Sequence, residues 1–260
     1  MGSTERKGTQ SLERAGLLLR ELATRGRFGL GLSDLASRCG IDKSTAHRML
    51  MCLVRERLVH KRKQDRRYLL GPLLFELSLA IPEFAEFQAV CAAPLARLAK
   101  RSSGVAFLNL RSGMDFVCAA RVGKLTSALS IYVGTRRPLA ASASGAAILA
   151  VLPPREASAI IAHNMRVLER SGGVPIKSLN RMLRRSESLG YGANLGDIIP
   201  GWNALGVAIR NAHGIPFAAL MIAAPEDKLP RARISEMVAM LEDEIRQIEL
   251  ETIRIFQNID

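Results

Sequence analysis

Between two short stretches of helical apolar periodicity stand Cys39, Gly40, Ile41 and Asp42. A glycine supplies the left-handed residue that stops one helix, and an aspartate two positions on offers a side-chain acceptor to the first free amides of the next. Two helices across a tight turn are the expected result. The first should start at a capping Ser33 and turn Leu35, Ala36 and Cys39 inward; the second should run from Lys43 to Arg57. Ahead of them, Ser11 marks the expected start of another helix, in which Leu12, Ala15, Leu19 and Leu22 recur at helical spacing before Arg25 and Gly26 end it. This order is the helix-turn-helix arrangement.

On a helical wheel the segment from Lys43 places Ala46, Met49, Leu50, Leu53 and Val54 on one side. The other side presents Ser44, Arg48, Met51 and Arg55, with Thr45 and His47 on its flanks. Short hydroxyls near a helix start suit phosphate or a base edge, and an arginine one turn on reaches guanine O6 and N7. A merely solvated helix presents a similar face, so the next segment decides. Leu58 to Arg62 and Arg67 to Leu70 alternate as two short strands around Lys63, Gln64, Asp65 and Arg66, which is the pattern of a wing. Lys61, Arg62, Lys63, Arg66 and Arg67 make that hairpin suited to a phosphate backbone or a minor groove. Together with Ser33 and Lys43 at the helix starts, these residues form the expected contact set for double-stranded DNA.

The charge follows the same division. Up to residue 72 there are 16 Lys plus Arg against 7 Asp plus Glu, whereas the rest of the chain holds 21 against 17. The positive field therefore belongs to the front end, where phosphate neutralisation needs it. With 48% apolar and 23% charged residues over 260 positions, the chain suits two packed domains. Cys39, Cys52, Cys91 and Cys118 are too scattered for a metal set and read as buried thiols of a reducing compartment. The polar first ten residues carry no signal-peptide pattern, and the apolar run from Ile215 to Ala224 is too short to span a bilayer, so a cytoplasmic protein away from membranes is expected. Catalytic motifs fail one by one. Ser142-Ala143-Ser144-Gly145 lacks the first glycine of a nucleophile elbow, Gly29-Leu30-Gly31 lacks the third of a dinucleotide loop, and His47, His60, His163 and His213 have no metal spacing. No enzyme, cofactor or metal is expected.

Several motifs resemble those of the IclR family of transcriptional regulators, from about Ser11 to the end of the chain. Leu32-Ser33-Asp34-Leu35-Ala36 and Lys43-Ser44-Thr45-Ala46-His47-Arg48 are similar to its DNA-binding helices, and Tyr68-Leu69-Leu70-Gly71-Pro72 to its exit from the wing. Gly134 to Arg137, Pro138-Leu139, Ser144-Gly145, Leu149-Ala150, Gly190-Tyr191, Pro200-Gly201 and Pro216-Phe217-Ala218-Ala219 match its second domain. The resemblance implies an α+β protein: an N-terminal winged helix-turn-helix over 1–72, a linker helix over 73–90, and an effector domain over 91–260 with a curved antiparallel sheet flanked by helices. The residues support this independently. Leu73 to Val90 reads as a helix interrupted at Pro82, and Cys91 to Arg101 as another. Strand-like runs fall at 105–110, 116–121, 128–133, 205–210 and 217–223, and helical ones at 143–152, 155–163, 177–189 and from Arg231 onward.

The resemblance also implies a pocket for a small organic acid. Carried over position by position, its lining is Ala143, Ser144, Asn194, Trp202, Ala204, Met221 and Ala223. Where relatives show an acid, a thiol and hydroxyls, this chain has Asn194, Ala204, and Met221 with Ala223. So little polarity cannot compensate the desolvation of a two- or three-carbon oxo acid, and a Trp with a Met favours an aromatic or hydrophobic acid. Trp202 as a plain core anchor is the competing reading. Backbone amides at the start of the Ala143-Ser144-Gly145 helix suit the carboxylate, with Arg136 and Arg137 nearby in sequence. The expected protein is a homo-oligomer, dimer or tetramer, on a pseudo-palindromic operator, with affinity set by the acid. An architectural DNA binder that ignores ligands, and an enzyme tethered to a winged helix, are the alternatives.

Overall fold

The structure, a computed structural model, describes residues 6–124 and 131–256. Contacts divide the chain into two units, Met1–Pro82 and Glu83–Asp260.

The first unit holds helices α1 (Arg6–Arg25), α2 (Leu32–Cys39) and α3 (Lys43–Arg55), strands β1 (Val59–Lys61) and β2 (Tyr68–Leu70), and helix α4 (Pro72–Ser78). Gly40 takes the left-handed conformation that ends α2, and the Asp42 side chain accepts from the Thr45 amide to start α3. The core gathers Leu18, Leu22, Leu35, Ala36, Ile41, Ala46, Leu50, Leu53, Val59 and Tyr68. Each buried leucine in it contributes roughly 1.5–3 kcal/mol over an exposed one.

Three expected boundaries move. Helix α1 is already under way at Arg6, so Ser11 lies inside it, and the buried stripe is Leu18 and Leu22 with Ala15 and Leu19 beside them, while Leu12 is exposed. Helix α2 is capped by Gly31 rather than Ser33, because Leu30 is pinned to Tyr68 by reciprocal backbone bonds of 3.0 and 2.9 Å and the helix begins directly after. Helix α3 stops at Arg55, two residues early, since Arg57 adopts φ 59°. The Arg57 carbonyl then lies where a Cβ on Gly71 would stand, which fixes the chain's exit from the wing.

The second unit is built on one antiparallel sheet of order β5-β4-β3-β8-β7-β6. Its strands are β3 (Val105–Ser112), β4 (Asp115–Val122), β5 (Arg136–Pro138), β6 (Gly192–Leu195), β7 (Trp202–Arg210) and β8 (Pro216–Pro225). Helices α5 (Pro82–Ser102) and α9 (Ile234–Phe256) cover one face through Phe87, Cys91, Leu95, Leu98, Met237, Leu241, Ile245 and Ile248. Helices α6 (Ala143–Val151), α7 (Pro154–Ser171) and α8 (Ile176–Leu189) cover the other. The expected break between Val90 and Cys91 is absent: the buried row Phe87, Cys91, Leu95, Leu98 continues at helical spacing past Pro94, so α5 is one helix. The short edge strands β5 and β6 carry too few residues to show alternation. Of the strand expected at 128–133, residues 128–130 lie outside the described residues, and 131–133 are irregular with Ile131 buried.

What seats α6 is a pair of glycines. Gly192 of β6 and Gly206 of β7 are register partners, and Cβ atoms on them would stand 1.8 and 2.8 Å from the Ala143 carbonyl oxygen. Gly145 repeats the device against the Leu139 carbonyl, at 1.9 Å. A methyl at Gly192 must push a helix off the sheet, so Gly192→Ala is expected to cost about 3 kcal/mol or more. Gly16→Ala in α1, whose Cβ would meet only the Arg20 guanidinium at 3.5 Å, should instead stabilise by up to about 1 kcal/mol. Urea denaturation of both variants checks the pair of signs.

Candidate functional site

In the first unit, Ser33 at the start of α2, Lys43 and His47 on α3, and Lys61 and Arg66 on the wing line one cleft of about 450 Å³. Asp42 accepts from the Ser44 hydroxyl at 2.7 Å and the Thr45 amide at 2.8 Å, and these bonds hold its carboxyl well below the usual range. Ser44, Arg48, Met51 and Arg55 share the exposed side of α3, and Arg48 reaches back to the Thr45 hydroxyl at 3.4 Å. The wing residues differ in what they are free to do. Arg62 grips Asp65 with two bonds, at 2.9 and 2.6 Å, and also reaches the Phe28 carbonyl at 3.2 Å. Its guanidinium holds the Asp65 carboxyl down at about 2. Arg67 pairs with Asp65 at 3.7 Å and donates to the Gly29 carbonyl at 3.3 Å. Lys61 lies over the Tyr68 ring, 5.2 Å from its centroid. Lys63 and Arg66 are exposed and have no acidic partner among the described residues. Cys52, expected to be buried, is exposed on α3, and Cys39 is half-buried; only Cys91 and Cys118 are buried, their thiols pushed up to about 12 by that burial.

In the second unit, the register sets rows of side chains on the sheet face beneath α6. Asn194, Ala204, Ala223 and Val105 follow one another across four strands; Gly192, Gly206, Met221 and Phe107 form the next row, and Ala208, Ala219 and Asn109 the one after. The first turn of α6 comes down on the glycines of the middle row. Ala143, Ala204, Met221 and Ala223 then join Val105, Phe107, Cys118 and Ile131 in a single buried cluster, with Trp202 and Ile199 packed against it. Five of the seven expected lining residues therefore meet there. Asn194 is buried beside Ala204, but its Oδ1 accepts from the Asp197 and Ile198 amides at 2.9 and 3.2 Å, closing the loop that leads to Trp202. Ser144 is buried and bonded to Asn109 and Ser142, at 2.8 and 2.9 Å. Val105, Phe107, Cys118, Ile131 and Asn109 were missed; alternation along β3 and β4 is the signal that puts Val105, Phe107, Asn109 and Cys118 on this face, whereas Ile131 reaches the cluster from an irregular segment with no such signal.

The two arginines expected nearby, Arg136 and Arg137, lie on β5 at the edge of the sheet. Arg136 is held by the Ser112 hydroxyl at 2.9 Å and by Asp115 at 3.4 Å on the sheet edge, and burial lowers the Arg137 guanidinium below its usual value. The loop from Gly196 to Gly201 is clamped from α8. Arg181 and Arg185 each bond Asp197 at 2.6 Å. Burial alone would raise the Asp197 carboxyl; Arg185 and Arg181 outweigh it and leave it below its usual value. Among the described residues no group of three or more His, Cys, Asp or Glu is placed to hold a metal, and no helix is long and apolar enough to cross a membrane.

A winged helix-turn-helix with a basic cleft, followed by an antiparallel sheet that closes an apolar site under a glycine-seated helix, defines a DNA-binding regulator with its own sensor domain. Residues 11–63 match the IclR helix-turn-helix domain and residues 84–250 the C-terminal domain of bacterial IclR transcriptional regulators, so the chain belongs to the IclR family. It is 28% identical over 245 residues to the glycerol operon regulatory protein of Streptomyces coelicolor, across 93% of this chain and 96% of that one. To the transcriptional repressor AllR of Escherichia coli it is 25% identical over 244 residues, 93% of this chain and 90% of that one. An IclR family regulator from Brucella abortus has the same fold at a TM-score of 0.75 and 23% identity, covering 94% of this chain and 93% of its own. An IclR homolog from Microbacterium hydrocarbonoxydans, solved with 4-hydroxybenzoate, superposes at 0.68 with 24% identity, over 94% and 99% of the two chains. The protein is an IclR-type transcriptional regulator with an effector-binding C-terminal domain.

The Asp197 clamp yields a pH signature. A carboxylate whose folded value is depressed stabilises the fold above its unfolded value, near 3.8, and loses that contribution as pH falls through the lower folded value. Asp197→Asn is expected to lower the melting temperature near neutrality and to flatten the fall in stability as pH drops below about 4. Thermal melts across that range, wild type beside variant, check it.

Proposed function

We propose that this regulator changes its grip on operator DNA when an aromatic or hydrophobic organic acid occupies the cluster beneath α6. The observation that carries the reading is the composition of that cluster: Phe107, Met221, Ile131 and three alanines, with Trp202 packed against them, present apolar surfaces that include two aromatic rings. Surfaces of this kind suit a ring and cannot compensate the desolvation of a very small oxo acid. The amides of Ala143 and Ser144, at the positive end of α6, suit the carboxylate. An aromatic acid is the ligand of the Microbacterium hydrocarbonoxydans homolog, which supports the reading in kind.

On the DNA side, Ser44, Thr45, Arg48, Met51 and Arg55 of α3 face the major groove, while Ser33, Lys43, His47, Lys61, Lys63 and Arg66 hold the backbone. Arg62 and Arg67 brace the wing through Asp65 as much as they contribute charge. One winged unit contacts too few base pairs for an operator, so the protein acts as a homo-oligomer on a pseudo-palindromic site. Phe75, Leu77 and Leu79 on and after α4, each more than half exposed, give such an assembly apolar surface to bury. The acid acts through its different affinity for DNA-competent and incompetent arrangements.

Arg48→Ala is expected to lose about 1–3 kcal/mol on the operator and little on scrambled DNA. Arg66→Ala should weaken both and reduce the salt slope by about 0.9 for each phosphate it no longer neutralises. Mobility shifts at several salt concentrations separate the two, and unchanged operator affinity in Arg48→Ala removes it from base reading. A thermal-shift panel of aromatic and short aliphatic acids, repeated with operator present, tests the sensor. Stabilisation by glyoxylate-like or pyruvate-like acids alone overturns the aromatic assignment, and ligands that stabilise the fold without altering operator affinity favour a ligand-independent DNA binder.

A further inference from the structure

We propose that Asn109 selects the effector by a hydroxyl group, so that the site takes a hydroxylated aromatic acid in preference to the same acid without the hydroxyl. The inference rests on the aromatic-acid reading above and adds a polar requirement to it. Asn109 sits on β3 one pleat from Phe107, on the α6 face, and its ladder partners are Ala219 and Cys118. It is fully buried. Its Nδ2 donates to the Ser144 hydroxyl at 2.8 Å, Ser144 lies 2.9 Å from the Ser142 hydroxyl, and Ser142 accepts the Gly145 amide at 3.0 Å. A continuous polar chain therefore joins the floor of the site to the first turn of α6. Asn109 Oδ1, at the end of that chain, has no donor among the described residues.

A buried amide oxygen left without a donor is costly, and leucine would fill the same place among Phe107, Cys118, Ala219 and Met221 without that cost. An asparagine there is explained by a donor that arrives with the ligand. A carboxylate cannot be that donor, because its oxygens only accept; it belongs with the amides of Ala143 and Ser144. A hydroxyl on the ring meets the requirement. The two polar ends of the effector are thus read by different groups, the acid by the helix start and the hydroxyl by Asn109 Oδ1. A site built to pair a hydroxyl discriminates strongly against the analogue that lacks it.

Calorimetric titration of the full chain with benzoate and its monohydroxylated isomers tests this. At least one isomer is expected to bind about tenfold tighter than benzoate, the worth of one buried hydrogen bond. In Asn109→Leu that ratio should fall to about one. Ser144→Ala, which releases the amide from its anchor, should lower the ratio as well; should Asn109→Leu not fold by near-ultraviolet circular dichroism, Ser144→Ala and Asn109→Ser decide. Equal affinity for benzoate and every isomer in the wild type, or a ratio unchanged in the folded variants, overturns the role of Asn109 while leaving the aromatic-acid reading intact. Failure of benzoate and all its isomers to bind the wild type overturns both.

Discussion

The sensor half of this protein depends on one backbone contact, the Ala143 carbonyl lying against the paired glycines Gly192 and Gly206. Without side chains at those two positions, a helix end can touch the sheet directly instead of riding on a layer of side chains. Ala143 is thereby brought into the apolar cluster, and Ser144 comes within reach of Asn109. The helix that follows is buried on every side from Ala143 to Leu149, so it has no solvent face and must be covered. Helices α7 and α8 supply the cover, through Ile160 and through Met182 and Leu183. The position of one carbonyl thus sets the site and the layer above it.

A second chain of dependence runs through the loop between β6 and β7. Asn194 closes it from the sheet side by accepting two of its amides, and Arg181 with Arg185 close it from α8 through Asp197. Ile199 and Trp202, which pack on the apolar cluster, are the residues this loop delivers. Displacing either of them works against ion pairs between the buried Asp197 carboxylate and two arginines of α8. The loop is therefore tied to α8, so that a shift of Ile199 or Trp202 is passed to that helix rather than absorbed as a local side-chain adjustment.

Much of this was legible in the residues. Gly40 and Asp42 announce their turn because a left-handed conformation and an N-cap each need a particular side chain, and α9 and α3 show their buried faces by periodicity alone. The boundaries that moved were decided by partners distant in sequence: Leu30 is pinned by Tyr68, so α2 starts before the serine that local chemistry favours. Trp202, Ala204, Met221 and Ala223 were placed by resemblance, and the ladder brings them together. Asn109 was invisible. It stands between Leu108 and Leu110 in the apolar run of β3, and only the meeting of β3 with α6 gives its amide a partner at one end and none at the other.

Net charge, finally, overstates how much of the front half is available to DNA. Several of its arginines already answer to carboxylates of the same unit: Arg62 and Arg67 to Asp65, Arg57 to Glu76, Arg38 to Glu21, Arg55 to Glu56. These pairs are largely exposed, so each adds little to stability by itself. Their geometric effect is larger. The two bonds from Arg62 to Asp65 fix the hairpin tip, and that leaves Lys63 and Arg66 projecting from a wing of defined shape. Phosphate recognition needs charges held in register with a helical lattice, not merely charges in number. The carboxylates in this basic segment are what convert a diffuse positive field into a few cations at fixed places around the cleft between α2, α3 and the wing.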